Sequence, residues 1–144
     1  IMIPIGGSAK RPTVEAIQNR EHYLVINGKE VFKFSTKIIG DMIEECLQRN
    51  NITLDDVALI VPHQANIRIL ESAAKRFNCP LDKFYFNIQR YGNTVAASIP
   101  LAMHEALQEG RIKQGDLILL VGFGGGLTYG TMAVKWGGYT TPKV

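Results

Sequence analysis

Two polar side chains stand where strands should end. The first is His63, in the stretch Leu59-Ile60-Val61-Pro62-His63-Gln64-Ala65-Asn66-Ile67-Arg68. An apolar run stops at Pro62, which has no N–H for a sheet ladder, and a segment that opens a helix follows. His63 is thereby placed just past a strand's carboxyl end, the crevice in which open α/β sheets bind ligands. An imidazole there can serve as acid, base or hydrogen-bond donor. The plainer reading is a loop histidine satisfied by nearby backbone. The second residue is Asn93, in Arg90-Tyr91-Gly92-Asn93-Thr94, after a further expected strand. In a parallel sheet both positions fall on the same side of the domain. Two side chains that can donate hydrogen bonds into one crevice suit the stabilisation of negative charge developing on a carbonyl oxygen. Asn93 alone reads better as an ordinary helix N-cap, helped by Gly92, and only together with His63 do the two readings balance.

The glycine run Gly122-Phe123-Gly124-Gly125-Gly126 fits neither GxGxxG nor GxxxxGK. A strand pattern follows it, so no helix N-terminus is present to hold a phosphate. One reading is a tight hairpin that needs positive φ. The other is backbone that approaches a ligand and offers an N–H; three successive glycines exceed what a hairpin needs and favour it. Arg68, Lys75 and Arg76 fall on one expected helix, with Arg68 and Lys75 two turns apart on one face. Lys33 falls near the start of another. These charges read either as solvated helix faces or as a docking patch for an acidic partner. No nucleophile accompanies them: neither Cys46 nor Cys79 follows a strand end, and no GxSxG occurs. A histidine and an asparagine without a nucleophile make an incomplete site, and the chain reads as half of something larger.

The elements that must position these residues follow from the pattern. Residues 6–20 read as a linker or surface loop, and His22–Ile26 as a strand turned by Asn27-Gly28. A helix is expected from about Glu30 to Arg49. Lys33, Lys37, Asp41, Glu44 and Gln48 form its polar stripe, and Val31, Phe34, Ile38, Met42 and Cys46 its apolar one. Val57–Val61 is the next strand. A helix capped by Asn66 and stopped by Asn78-Cys79-Pro80 follows. Phe84–Ile88 is a third strand. The segment Val95–Leu107 is apolar all round except for Ser98 as far as Met103, so a buried helix is expected, with Pro100 either kinking it or marking its first turn. Leu117–Val121 and Thr128–Trp136 are strands joined by too short a turn for a crossover, hence antiparallel. The order βαβαβαββ predicts an α/β domain with a five-stranded mixed sheet and helices on both faces. It occupies residues 22–136, between a connecting segment (1–21) and a tail (137–144).

With 144 residues and 46% hydrophobic content, the chain can form one domain with a real core. A 20% charged fraction is too low for a disordered chain. The net charge of +3, without a basic run, gives no ground for nucleic-acid binding. Two cysteines without CxxC or zinc spacing give no ground for a metal site or a disulfide framework. A reducing, cytoplasmic compartment is expected. No signal peptide or transmembrane run is visible, so no membrane partner is expected. The opening at Ile1, apolar and then glycine-rich, reads like the end of one segment and the start of a linker in a longer protein.

Four stretches together carry a resemblance: Asn27-Gly28-Lys29-Glu30-Val31-Phe32-Lys33, Val61-Pro62-His63-Gln64-Ala65-Asn66-Ile67-Arg68, Tyr91-Gly92-Asn93-Thr94-Val95-Ala96-Ala97-Ser98 and Gly122-Phe123-Gly124-Gly125-Gly126. In order and spacing they resemble the C-terminal half of β-ketoacyl-acyl-carrier-protein synthase III. The resemblance implies a thiolase fold, of which this chain is one half. It also implies a reaction, the initiating condensation of fatty acid synthesis. A cysteine of the N-terminal half takes an acyl group from a coenzyme A thioester. Malonyl-acyl-carrier protein loses carbon dioxide, and the resulting carbanion attacks the acyl thioester. By the same resemblance His63 and Asn93 stabilise the enolate oxygen, and the Gly125 N–H serves the oxyanion on the cysteine-bound acyl group. Ile26, Phe32, Ala65 and Asn66 line the pantetheine tunnel, Phe123 joins the substrate-binding residues, and Lys33, Arg68, Lys75 and Arg76 face the acidic carrier protein. The full enzyme would be a homodimer that needs no cofactor besides its thioester substrates. Val95 stands where the family often has serine, and Leu127 and Tyr129 replace the usual aromatics, differences that bear on acyl-chain preference. Two other readings are a same-fold acyltransferase that acts without decarboxylation and a non-catalytic domain that binds carrier protein.

Overall fold

A computed structural model describes residues 1–137; the tail expected at 137–144 lies, but for Gly137, outside the described residues. The chain divides into two compact units, Ile1–Phe34 and the part from Ser35 onward.

In the first unit, the segment expected as a linker contains a short helix, α1 (Val14–Gln18), whose N-cap Thr13 accepts from the Ala16 N–H at 3.1 Å. The expected strand His22–Ile26 is reduced to one antiparallel bridge, Val25 with Met2. A strand needs a neighbour along its length, and here only Met2 supplies one. Tyr23, Leu24, Val25 and Ile26 are all more than half exposed. Helix α2 (Gly28–Arg49) begins two residues earlier than its pattern, where Asn27 Oδ1 accepts from the Glu30 N–H at 3.3 Å. It runs on into the second unit.

The second unit holds a sheet of three strands, not five. These are β1 (Leu59–Pro62), β2 (Leu117–Gly124) and β3 (Thr128–Lys135), in the order β1-β2-β3. β1 and β2 are parallel, with Val61 beside Leu120; β2 and β3 form the expected antiparallel hairpin, with Leu120 beside Met132. The strand expected at Phe84–Ile88 shrinks to a single parallel bridge, Ile60 to Phe84, and the Tyr85 N–H donates to the Ile60 carbonyl at 2.8 Å. Its failure has a local cause. Backbone groups in a strand alternate sides, so Pro62 turns the same way as Ile60, toward this segment, and has no N–H to offer it. The next amide in reach, that of Asn87, goes instead to Gln64 Oε1 at 3.0 Å. The chain then turns into α4 (Ile88–Tyr91). Toward β2, by contrast, the proline costs nothing. β1 includes Pro62, and the His63 N–H carries the pairing one residue further, donating to the Val121 carbonyl at 2.7 Å.

Two helices cover one face of the sheet. α2 and α3 (Ile67–Arg76) contribute Ile39, Ile43, Leu70 and Ala73, packed with Ile60, Leu119 and Val121 of the strands. The other face carries α5 (Ser98–Gln108), whose Ala102 and Ala106 pack with Leu59, Val61 and Ile118. Pro100 lies in the first turn of α5, where a missing N–H costs nothing. The expectation that this helix is buried all round does not hold. Ser98, Ala102 and Ala106 are buried, but Pro100 is exposed and Leu101 is 36% exposed. One sheet can cover only one side of a helix, and this chain supplies nothing for the other side among its described residues.

Candidate active site

β1 delivers His63 to the beginning of α5. The His63 Nδ1 lies 2.6 Å from the Ser98 Oγ, and the ring meets Phe123 of β2 edge-on, with centroids 5.5 Å apart and planes at 79°. The imidazole is half-buried, and burial holds its pKa below the ordinary histidine value, which favours the neutral ring. Ser98 Oγ also donates to the Val95 carbonyl at 2.8 Å. The loop after His63 is pinned by Gln64, whose amide is fully buried yet fully bonded. Its Nε2 donates to the Pro62 carbonyl at 2.8 Å and the Tyr85 carbonyl at 3.2 Å, while its Oε1 takes the Asn87 N–H. A buried amide without those partners would cost on the order of 1–3 kcal/mol.

Asn93 follows α4 through Gly92, whose φ of 66° calls for glycine. Its Oδ1 accepts from the Val95 N–H at 2.9 Å, just ahead of the single 3-10 turn Val95–Ala97 that leads into α5. The side-chain amide group therefore faces outward as a donor, and the hydrogen-bonding role of Asn93 is open to it. The segment is braced by Glu105 of α5. That carboxylate accepts from the Tyr91 hydroxyl at 2.5 Å, Asn87 Nδ2 at 2.8 Å and Arg90 at 3.0 Å. These donors, Tyr91 foremost, hold its pKa below the usual carboxylate range.

The remaining candidates are distributed unequally. Ala65 and Asn66 follow His63, and Asn66 Oδ1 caps α3 by accepting from the Arg68 N–H at 2.9 Å. Gly125 sits at the exposed tip of the β2–β3 hairpin, where its carbonyl accepts from Thr128 Oγ1 at 3.0 Å. Beside it Gly126, at φ 142°, leaves a Cβ only 2.7 Å from the Thr128 methyl, so no larger residue fits. Ile26, Phe32 and Lys33 are exposed and belong to the first unit. Arg68 and Lys75 are exposed on α3. Arg76 is engaged within the fold, with Asp41 and Glu44 each at 2.8 Å. Burial pushes both the Cys46 and the Cys79 thiols up, the wrong direction for a nucleophile. Among the described residues no group of three His, Cys, Asp or Glu side chains could hold a metal ion.

Sequence reasoning missed Gln64, Ser98 and Glu105 as the residues that fix the geometry. Ser98 carried a signal: it is the one polar side chain in the apolar stretch from Val95 to Met103. Gln64 and Glu105 carried none, because their partners lie 21 and 18 residues away in the chain.

Comparison with known proteins assigns the chain to a family. The family described as "3-Oxoacyl-[acyl-carrier-protein (ACP)] synthase III C terminal" matches residues 47–136. A "Beta-ketoacyl-[acyl-carrier-protein] synthase III" of Fusobacterium nucleatum is 46% identical over 136 residues, 94% of this chain and 42% of that protein. One of Natranaerobius thermophilus is 50% identical over 133 residues, 92% of this chain and 40% of that protein. Among solved structures, the β-ketoacyl synthase III of Thermus thermophilus superposes with a TM-score of 0.79 at 45% identity, covering 82% of this chain and 37% of that one. The chain thus spans about two fifths of the length of the relatives it matches. On the family match and these identities, the chain belongs to the C-terminal family of the 3-oxoacyl-acyl-carrier-protein synthases III.

Proposed function

We propose that the complete protein is a 3-oxoacyl-acyl-carrier-protein synthase III, that this chain is its C-terminal half, and that an N-terminal half brings the nucleophilic cysteine. The observation that carries this reading is the pairing of His63 with Asn93 through the Val95–Ser98 turn, in a chain whose two thiols are both unsuited to attack. An acyl group passes from coenzyme A to the cysteine of the other half. Malonyl-acyl-carrier protein then enters and loses carbon dioxide, leaving an electron pair delocalised onto the thioester oxygen. The outward amide of Asn93 hydrogen-bonds that oxygen, His63 joins it as a donor once its Nε2 carries a proton, and the Gly125 N–H serves the oxyanion formed when the carbanion attacks the acyl-cysteine. The bond to the cysteine sulfur breaks and the 3-oxoacyl product leaves on the carrier protein. Ile26, Phe32, Ala65, Asn66 and Phe123 line the path of the pantetheine arm. Lys33, Arg68 and Lys75 meet the acidic carrier, with Arg76 contributing what its two carboxylates leave. The enzyme works in the cytoplasm as a homodimer and needs no cofactor beyond its thioester substrates.

In the complete enzyme, His63→Ala lowers malonyl-acyl-carrier-protein decarboxylation by about 10²–10³-fold, the usual cost of one oxyanion donor. Release of carbon dioxide at the wild-type rate would remove His63 from the mechanism.

A further inference from the structure

Resting on that reading of His63 and Asn93, we propose that Ser98 is a positioning residue: braced by the Val95 carbonyl, it holds neutral His63 as the Nδ1–H tautomer, so that Nε2 enters the site as a lone pair. The argument is a count of protons. Ser98 has one hydroxyl hydrogen. Its Oγ lies 2.8 Å from the Val95 carbonyl oxygen and 2.6 Å from the His63 Nδ1. Two oxygens at that separation need a hydrogen between them, and a carbonyl has none to give. The Ser98 hydrogen is therefore committed to Val95. The hydrogen in the contact with His63 must come from Nδ1. A neutral imidazole carries a single N–H, so Nε2 is left as an acceptor.

The same count orients Asn93. The Val95 N–H is a donor, so the atom facing it is Oδ1 and the amide group points away. One run of hydrogen bonds thus links the pair, from His63 to Ser98, from Ser98 to the Val95 carbonyl, and from the Val95 amide to Asn93. Val95 stands at φ 53°, a left-handed conformation that is costly for a β-branched residue. In that conformation it reaches Asn93 through its N–H and Ser98 through its carbonyl. The two partners end up unlike. Asn93 is a donor to substrate at every pH, whereas His63 becomes one only when Nε2 gains a proton and the ring is an imidazolium.

The test is long-range proton–nitrogen NMR of the complete enzyme with ¹⁵N-labelled histidine, at about pH 8, where an ordinary imidazole is neutral. Wild-type His63 should show a pyrrole-type Nδ1 and a pyridine-type Nε2. Ser98→Ala should shift the pyrrole-type signal toward Nε2, because the acceptor at Nδ1 is gone. Val95→Gly keeps both the carbonyl and the hydroxyl and should retain the wild-type pattern. A wild-type enzyme with the proton on Nε2, or a Ser98→Ala spectrum identical to wild type, would overturn the assignment. The readout is independent of turnover. An Nε2–H tautomer alongside a His63→Ala enzyme that no longer releases carbon dioxide overturns this proposal and leaves the condensing function standing. An Nδ1–H tautomer alongside a fully active His63→Ala enzyme supports this proposal and removes the function.

Discussion

The two faces of the sheet are finished differently. On the α2–α3 face, large aliphatic side chains interlock: Ile39, Ile43 and Leu70 from the helices meet Ile60, Leu119 and Val121 from the strands, and nearly all are sealed from water. On the α5 face the helix offers small residues, Ser98, Ala102 and Ala106, to the strands, and its larger ones only in part. Ile99 and Met103 are half-buried, Leu101 is 36% exposed and Val95 73% exposed. Small residues let a helix lie close to a sheet, and they leave its far side apolar and uncovered. The site lies on this second face, where Ser98 meets His63. The closed face packs the larger core, and the open face carries the candidate site.

Truncation should expose the contrast most strongly. Ile43→Ala on the closed face removes a fully buried side chain from a surround that cannot collapse, and should cost about 2–5 kcal/mol in urea unfolding. Met103→Ala on the open face loses a flexible, half-buried side chain, and should cost under about 1.5 kcal/mol. Equal costs would break the comparison. Val95→Gly sharpens it with the opposite sign. The left-handed backbone at φ 53° is strained for valine and natural for glycine, and the exposed side chain loses little burial. Relief should stabilise the fold by about 1 kcal/mol, read as a higher urea midpoint with unchanged slope. A lower midpoint would show that the valine side chain is held by contacts that its exposure does not suggest.

The closed face was legible in the sequence because its causes are local. The 3.6-residue stripe of Met42 and Cys46 and the Asn66 cap fall within single elements, and the structure has them where the pattern puts them. The hairpin from Leu117 to Lys135 followed from a turn too short for anything else. The misses share another cause. Strand pairing is a property of two segments. Tyr23 to Ile26 has strand composition, yet only Met2 pairs with it. Phe84 to Ile88 begins as a strand and stops where Pro62 offers no N–H and Gln64 takes the next amide. The all-round apolarity of α5 suggested a helix buried on every side, and the structure buries only the side that meets the sheet. At the candidate site, His63 and Asn93 were singled out by their positions after expected strands, although α4 rather than a strand leads to Asn93. The hydrogen bonds that orient them run through Ser98 and Val95, whose roles depend on a left-handed backbone that no pattern announces.

The smallest expected effect concerns how α2 and α3 are held together at their solvent edge. Gly40 permits this contact, since a Cβ there would lie 2.3 Å from the Arg76 guanidinium. Arg76 bridges Asp41 and Glu44 and also donates to the Lys37 carbonyl at 3.3 Å. The Asp41 carboxyl is held below its ordinary value of 3.8, first by its hydrogen bond from Lys37 and then by that from Arg76. A carboxylate with a depressed folded-state pKa stabilises the fold above its unfolded value, and that contribution is lost as pH falls through the folded value. Stability should therefore decline below about pH 4. Asp41 and Arg76 are each about one-third exposed, so solvent screens the pair and its share should be no more than about 1 kcal/mol. Arg76→Ala should shrink the acid-dependent loss, and about 0.5 M salt should do the same in the wild type, because exposed ion pairs are screened at that strength. An acid-dependent loss unchanged in Arg76→Ala would mean that Lys37 alone sets the Asp41 carboxyl. The helices of the closed face would then be joined by their aliphatic core without help from the charges at its edge.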